Sequence, residues 1–149
     1  MAHRPASYLR VALLGALVAT ALHGTIRLMA AADLEQHVEL SVQLLELSVA
    51  EWGERAAVPP ASDTDEETRA AALAAVEKKF KSERARLYES YVTSASEHLA
   101  FFAKHAADVD EYLADHPETK NHIESLNQTL RSLITSDESK GAEAAGGRP

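Results

Sequence analysis

HVELSVQLLELSVAEW, residues 37–52, is apolar at two periods at once. Val38, Leu40, Val42 and Leu44 alternate with polar residues, the pattern of a half-buried strand. Val38, Val42, Leu45, Val49 and Trp52 recur at three- and four-residue steps, the pattern of an amphipathic helix. The strand reading must change phase at Leu44-Leu45, where the apolar set moves from even to odd positions. It also lacks partners, because no other stretch alternates convincingly and a lone strand is not stable. The helix reading needs no break. Leu, Glu, Gln and Ala dominate residues 33–51, and Gly53 stands where a helix stop belongs. The spacing predicts a helix, and the chain reads as all-α.

That helix carries two apolar stripes. At roughly 100° per residue, Val38, Val42, Leu45, Val49 and Trp52 fall within about 80° of one another, and Leu40, Leu44 and Leu47 lie nearly opposite. One neighbouring helix covers one stripe. The other is left for a partner, so Leu40, Leu44 and Leu47 are the predicted protein-interface residues, with Trp52 on the intramolecular face. Burying three leucines is worth on the order of 5–8 kcal/mol before the costs of association.

Outward from this stretch, residues 33–55 form the first body helix and residues 56–64 a Pro-rich linker, since Pro59-Pro60 forbids helix. Thr64 with Glu67 makes a Ser/Thr-x-x-Glu capping pattern that opens the next helix. No Gly or Pro interrupts Asp65 to Ala114. Leu73, Val76, Phe80, Leu87, Tyr91, Ala95, Leu99, Phe102, Ala106, Val109 and Leu113 follow helical steps through it. Unbroken, this helix would be roughly 75 Å long; a kink near Ser82–Arg86, where the apolar pattern thins, is the alternative. A turn at Pro117 then starts a return helix carrying Ile123, Leu126, Leu130, Leu133 and Ile134, antiparallel because the connection is short. Residues 65–135 thus hold the long helix and its return. The small and charged residues 136–149 read as a disordered tail. The expected body is a coiled-coil-like helical hairpin or an elongated three-helix bundle.

Residues 1–32 differ in kind. Three of the 15 Lys and Arg lie here (Arg4, Arg10, Arg27), ahead of the first carboxylate, Asp33, so the other 12 face all 23 Asp and Glu. The body is therefore acidic, and the segment before it is basic and apolar. Tyr8 to Met29 would span a membrane if Arg10 and Arg27 reach towards the two interfaces. The basic start would keep the N-terminus cytoplasmic and the body outside, in the periplasm or its equivalent. The alternatives are a cleaved secretory signal, with Ala30-Ala31-Ala32 as a cleavage pattern before Asp33, an organelle presequence, and a buried soluble helix. Cleavage would release a secreted body.

Little else points to chemistry. An acidic body is poorly suited to nucleic acid, which needs a basic footprint. The chain has no cysteine, which removes disulfides and thiolate chemistry. His98 and His105 stand about 10 Å apart on a helix, too far to share one metal ion. His105 with Asp108, and His122 with Glu118, have ligand spacing but read as ordinary surface pairs. KKFKSERAR, residues 78–86, reads as a solvated face with Glu77 and Glu83 near enough to pair. Tyr88, Tyr91 and Phe102 read as packing residues. Phe101 lies off the main apolar face and is a further predicted interface residue. Asn127-Gln128-Thr129 matches a glycosylation sequon but falls within a helix. No phosphate loop, Ser/His/Asp spacing or HExxH occurs, and no cofactor or small-molecule substrate is implied.

The expected function is that of a non-enzymatic, membrane-anchored helical accessory or scaffold subunit that packs on a protein partner or on itself as a homo-oligomer. The alternative is a freestanding extracytoplasmic helical binding module, sensor-like or chaperone-like.

Overall fold

A computed structural model of the chain describes residues 6–60 and 63–146, and the side chains of residues 32–60 and 63–137. Among the described residues there are five helices and no strand: α1 (Ala6–Ala57), α2 (Glu66–Ser90), α3 (Ala95–Lys104), α4 (Ala106–Asp115) and α5 (Pro117–Gly146). The helical period of residues 37–52 is the real one. The chain divides into two compact units, Met1–Gln36 and His37–Pro149. The predicted membrane segment, residues 1–32, lies almost wholly outside the residues whose side chains are described. Among the described residues, no helix is long and apolar enough to cross a membrane.

Helix α1 runs one turn past the expected stop at Gly53 and ends at Ala57, where Val58 N–H bonds Arg55 C=O at 3.1 Å. Gly53 is exposed with open space around it, so nothing there requires a glycine. The stop comes from Pro59-Pro60, which disfavours helical backbone in the residue before it. The cap of α2 is Asp65 rather than Thr64, and its carboxylate accepts from Thr68 N–H at 2.8 Å. That bond holds the Asp65 carboxyl below the usual carboxylate range.

The expected 65–114 helix is three helices. No break occurs at Ser82–Arg86. The first comes at the Tyr91–Ser94 corner, where Val92 N–H bonds Glu89 C=O and Thr93 N–H bonds Tyr88 C=O. Ser94 then starts α3 with a complete capping box: Glu97 N–H donates to Ser94 Oγ, and Ser94 N–H donates to the Glu97 carboxylate. The second break is at His105, which ends α3 and begins α4. Pro117 opens α5 as expected, but α5 continues to Gly146, through much of the predicted disordered tail.

Val92 at the first corner takes φ 52°, and its side chain is 92% exposed. A β-branched residue in left-handed backbone costs on the order of 1–2 kcal/mol, and exposure leaves nothing to offset it. Val92→Asn is expected to raise stability by about 1 kcal/mol, read as a rise of a few degrees in Tm. An unchanged or lower Tm would mean that contacts of the valine side chain hold the corner.

Helices α1 and α2 run antiparallel. Going back along α1 from Glu54 to Glu51 to Gln43, the partners advance along the chain from Lys79 to Arg84 to Tyr91. Of the basic residues in 78–86, Lys79 and Arg84 reach across to carboxylates of α1, and Glu83 also acts on Lys79. Glu51 is buried, with Arg84 at 2.6 Å and Arg55 at 3.5 Å. The ladder continues into α3, where His98 meets His37 and Ser41. Helix α5 reaches α1 through His122 Nε2, 3.0 Å from Glu46. Phe80, Leu40, Val38 and Val109 form the buried apolar core.

Candidate functional site

Two places on this frame gather side chains that could bind or respond: an aromatic and histidine cluster where α3 meets α1, and a groove between α1 and α2.

The cluster is built on His98, in the second turn of α3, which the Ser94 cap starts at a defined residue. His98 is 6% exposed. Its Nδ1 lies 2.9 Å from Nδ1 of His37, and its Nε2 lies 3.1 Å from Ser41 Oγ. His37 and Ser41 are one helical turn apart on α1, so one face of α1 meets both nitrogens of the ring. Phe102 and Tyr88 stand edge-on to His98, with ring centroids 5.1 and 6.1 Å away. Phe101 stacks on His37 at 3.9 Å and on His105 at 4.5 Å. His105 Nδ1 is 2.8 Å from Asp108. Burial holds the His98 imidazole below the usual histidine value, and neighbouring His37 adds to the effect.

Beside the cluster, Gln43 Nε2 donates to Tyr91 Oη at 2.7 Å. Burial, with the Glu39 charge, pushes the Tyr91 phenol up.

Ser41, His98 and His37 stand in the order of a nucleophile, a base and an orienting group. Acyl transfer also needs a substrate cavity at the nucleophile and donors for the developing oxyanion. Neither Ser41 nor His98 lines the groove described below, and Ser41 sits mid-helix, where the surrounding N–H groups serve the helix itself. Among the described residues, no group of three or more His, Asp or Glu side chains could hold a metal ion.

The groove has a volume of about 790 Å3. Leu47 and Ala50 of α1 and Leu87 of α2 supply its apolar part, while Glu46, Glu83 and Arg86 bring charge.

The predicted interface residues are thus divided. Leu40 is 0% exposed and belongs to the core, which corrects the expectation that its stripe is left uncovered. Leu44 is half-buried, and Leu47 is half-buried along the groove. Phe101 is taken up in the stack between His37 and His105. The physical reason is that the Leu40 side of α1 is the side that faces α2 and α3. On the opposite stripe Val38 is buried, and Val42, Leu45, Val49 and Trp52 are half-buried. Neither stripe is bare. His122 pairs with Glu46 across the bundle and not with Glu118.

The His37–His98 contact escaped the sequence because it joins residues 61 positions apart. The break that places His98 was legible as Ser94-Ala95-Ser96-Glu97, a Ser-x-x-Glu box, but the apolar steps continue across it. Comparison with protein families, with curated proteins and with solved structures returned no match.

Proposed function

We propose that the chain is a non-enzymatic helical accessory or scaffold subunit, anchored in a membrane by residues 8–29, whose body packs on a protein partner or on a second copy. The observation that carries this reading is the α1–α2 groove, apolar at Leu47, Ala50 and Leu87 and edged by Glu46, Glu83 and Arg86. An amphipathic helix laid in such a groove buries its apolar face and leaves its charged flanks to the rim. Leu99, 69% exposed on α3, adds apolar surface elsewhere on the body. The anchor rests on the sequence pattern of the N-terminal segment.

The test is native mass spectrometry of the protein extracted from its own membranes in mild detergent. A full-length chain in a complex of fixed stoichiometry is the expected result. Leu47→Glu should dissociate that complex while leaving helical circular dichroism nearly unchanged, because Leu47 is only half-buried within the chain. A lone monomer beginning at Asp33 would overturn the anchored scaffold. If its Tm also shifted with an added ligand, the freestanding extracytoplasmic binding module would replace it.

A further inference from the structure

The contact between α1 and α3 depends on a proton count. Two Nδ1 atoms 2.9 Å apart form a hydrogen bond only when one carries a proton and the other does not. Ring centroids 5.1 Å apart and planes 28° from parallel place the imidazoles end to end in this bond. With both neutral, either direction works: His98 takes the complementary tautomer, and Ser41 donates to its Nε2 or accepts from it. With one proton added, His98 can donate at both nitrogens, to His37 and to Ser41. A second proton leaves two N–H groups and two positive charges head to head. No tautomer rescues that state.

We propose that His37 and His98 form an acid-sensitive latch that holds α3 on α1 and releases it when the pair is doubly protonated.

The surroundings favour release. On α2 the group facing His98 is the Tyr88 ring, and on α3 it is Phe102. The influences on the His98 imidazole are burial and His37, with no carboxylate among them. The pair titrates as a unit, so its two proton steps belong to both residues together.

Burial and His37 both lower the affinity of His98 for protons. The detached His98 therefore takes up its proton at the ordinary histidine value of about 6.5, while the packed His98 takes it up only at lower pH. The latch is fully closed above that pH and weakens progressively below it. Helix α5 meets α1 through a different contact, His122 Nε2 to Glu46 at 3.0 Å, which holds no second imidazole, so α5 is the internal reference for α3. The signature is local. A whole-protein melt would average the two.

Hydrogen–deuterium exchange of the full-length protein in mild detergent tests this, with rates corrected for intrinsic pH dependence. Between pH 7.5 and pH 5.5, opening of α3 relative to α5 is expected to rise about tenfold, the rise given over that span by one proton that the open form takes up at about 6.5. In His98→Phe the rise should vanish, and in His37→Phe, which keeps a ring against Phe101, it should fall at least about threefold. A flat wild-type response overturns the latch, and so does an equal rise in wild type and His98→Phe. If His98→Phe does not fold, an unchanged rise in His37→Phe overturns it equally.

Discussion

Leu40→Ala is expected to lower the stability of the helical body by about 3 kcal/mol, within the range of about 2–5 for truncating a buried leucine. Leu40 is fully buried, next to Ser41 and one turn from His37 on one side and from Gln43 and Leu44 on the other. Those neighbours meet His98 of α3 and Tyr91 at the α2–α3 corner. Removing the side chain empties space between elements already held by hydrogen bonds, so little collapse is available to fill it. Leu44→Ala, at a half-buried position, should cost distinctly less. Urea melts followed by circular dichroism read both, with a fall in Tm on the order of 10 °C for Leu40→Ala. A loss below about 1 kcal/mol would contradict the packing of the corner on α1 and return Leu40 to the external surface.

Phe80→Ala should be costlier still, about 4 kcal/mol. Phe80 is 1% exposed in the middle of α2. Lys79 lies over its ring, 4.9 Å from the centroid, and also pairs with Glu54. One turn further on, Arg84 meets buried Glu51. The aromatic side chain therefore fills the space that the two cross-helix pairs enclose. Its loss leaves a cavity and opens the sheltered Arg84–Glu51 pair to water, where the Lys79–Glu54 pair already lies and a surface ion pair is worth roughly 0–1 kcal/mol. Denaturant unfolding of the variant checks this. Near-native stability would mean that α1 and α2 are held mainly by their polar ladder.

The two expectations concern the same question, which side of α1 is inside. The wheel shows two stripes, and a helix needs at most one neighbour per stripe. Helical periodicity states that both are apolar and says nothing of how many neighbours arrive. Had the chain from Asp65 to Ala114 been one rod, a single face of α1 would have been covered. The corner at Tyr91–Ser94 and the break at His105 divide it into three helices, and α5 comes back far enough for His122 to meet Glu46. The leucines assigned to a partner are thereby drawn inward, and only Leu47 remains beside an open groove.

Other features were legible because their causes are local. Residues 37–52 are helical because only that period runs through Leu44-Leu45 without a phase change. Pro59-Pro60 ends α1 and Pro117 begins α5 because proline acts on its own backbone and its neighbour's. The Ser94 box belongs to this group too. Its signal is local, although the apolar steps run unbroken across it.

By itself, then, the sequence determined the helical class, the proline-bounded ends of α1 and α5, the acidic body and the distinct character of residues 1–32. Each is a property of composition or of neighbours within a turn or two. Only the tertiary structure decided which leucines are core, where Lys79, Arg84 and His122 find their partners, and that His37 faces His98. Those are contacts between residues 25 to 76 positions apart, set by where the helices break and fold back. Local periodicity carries no information about either.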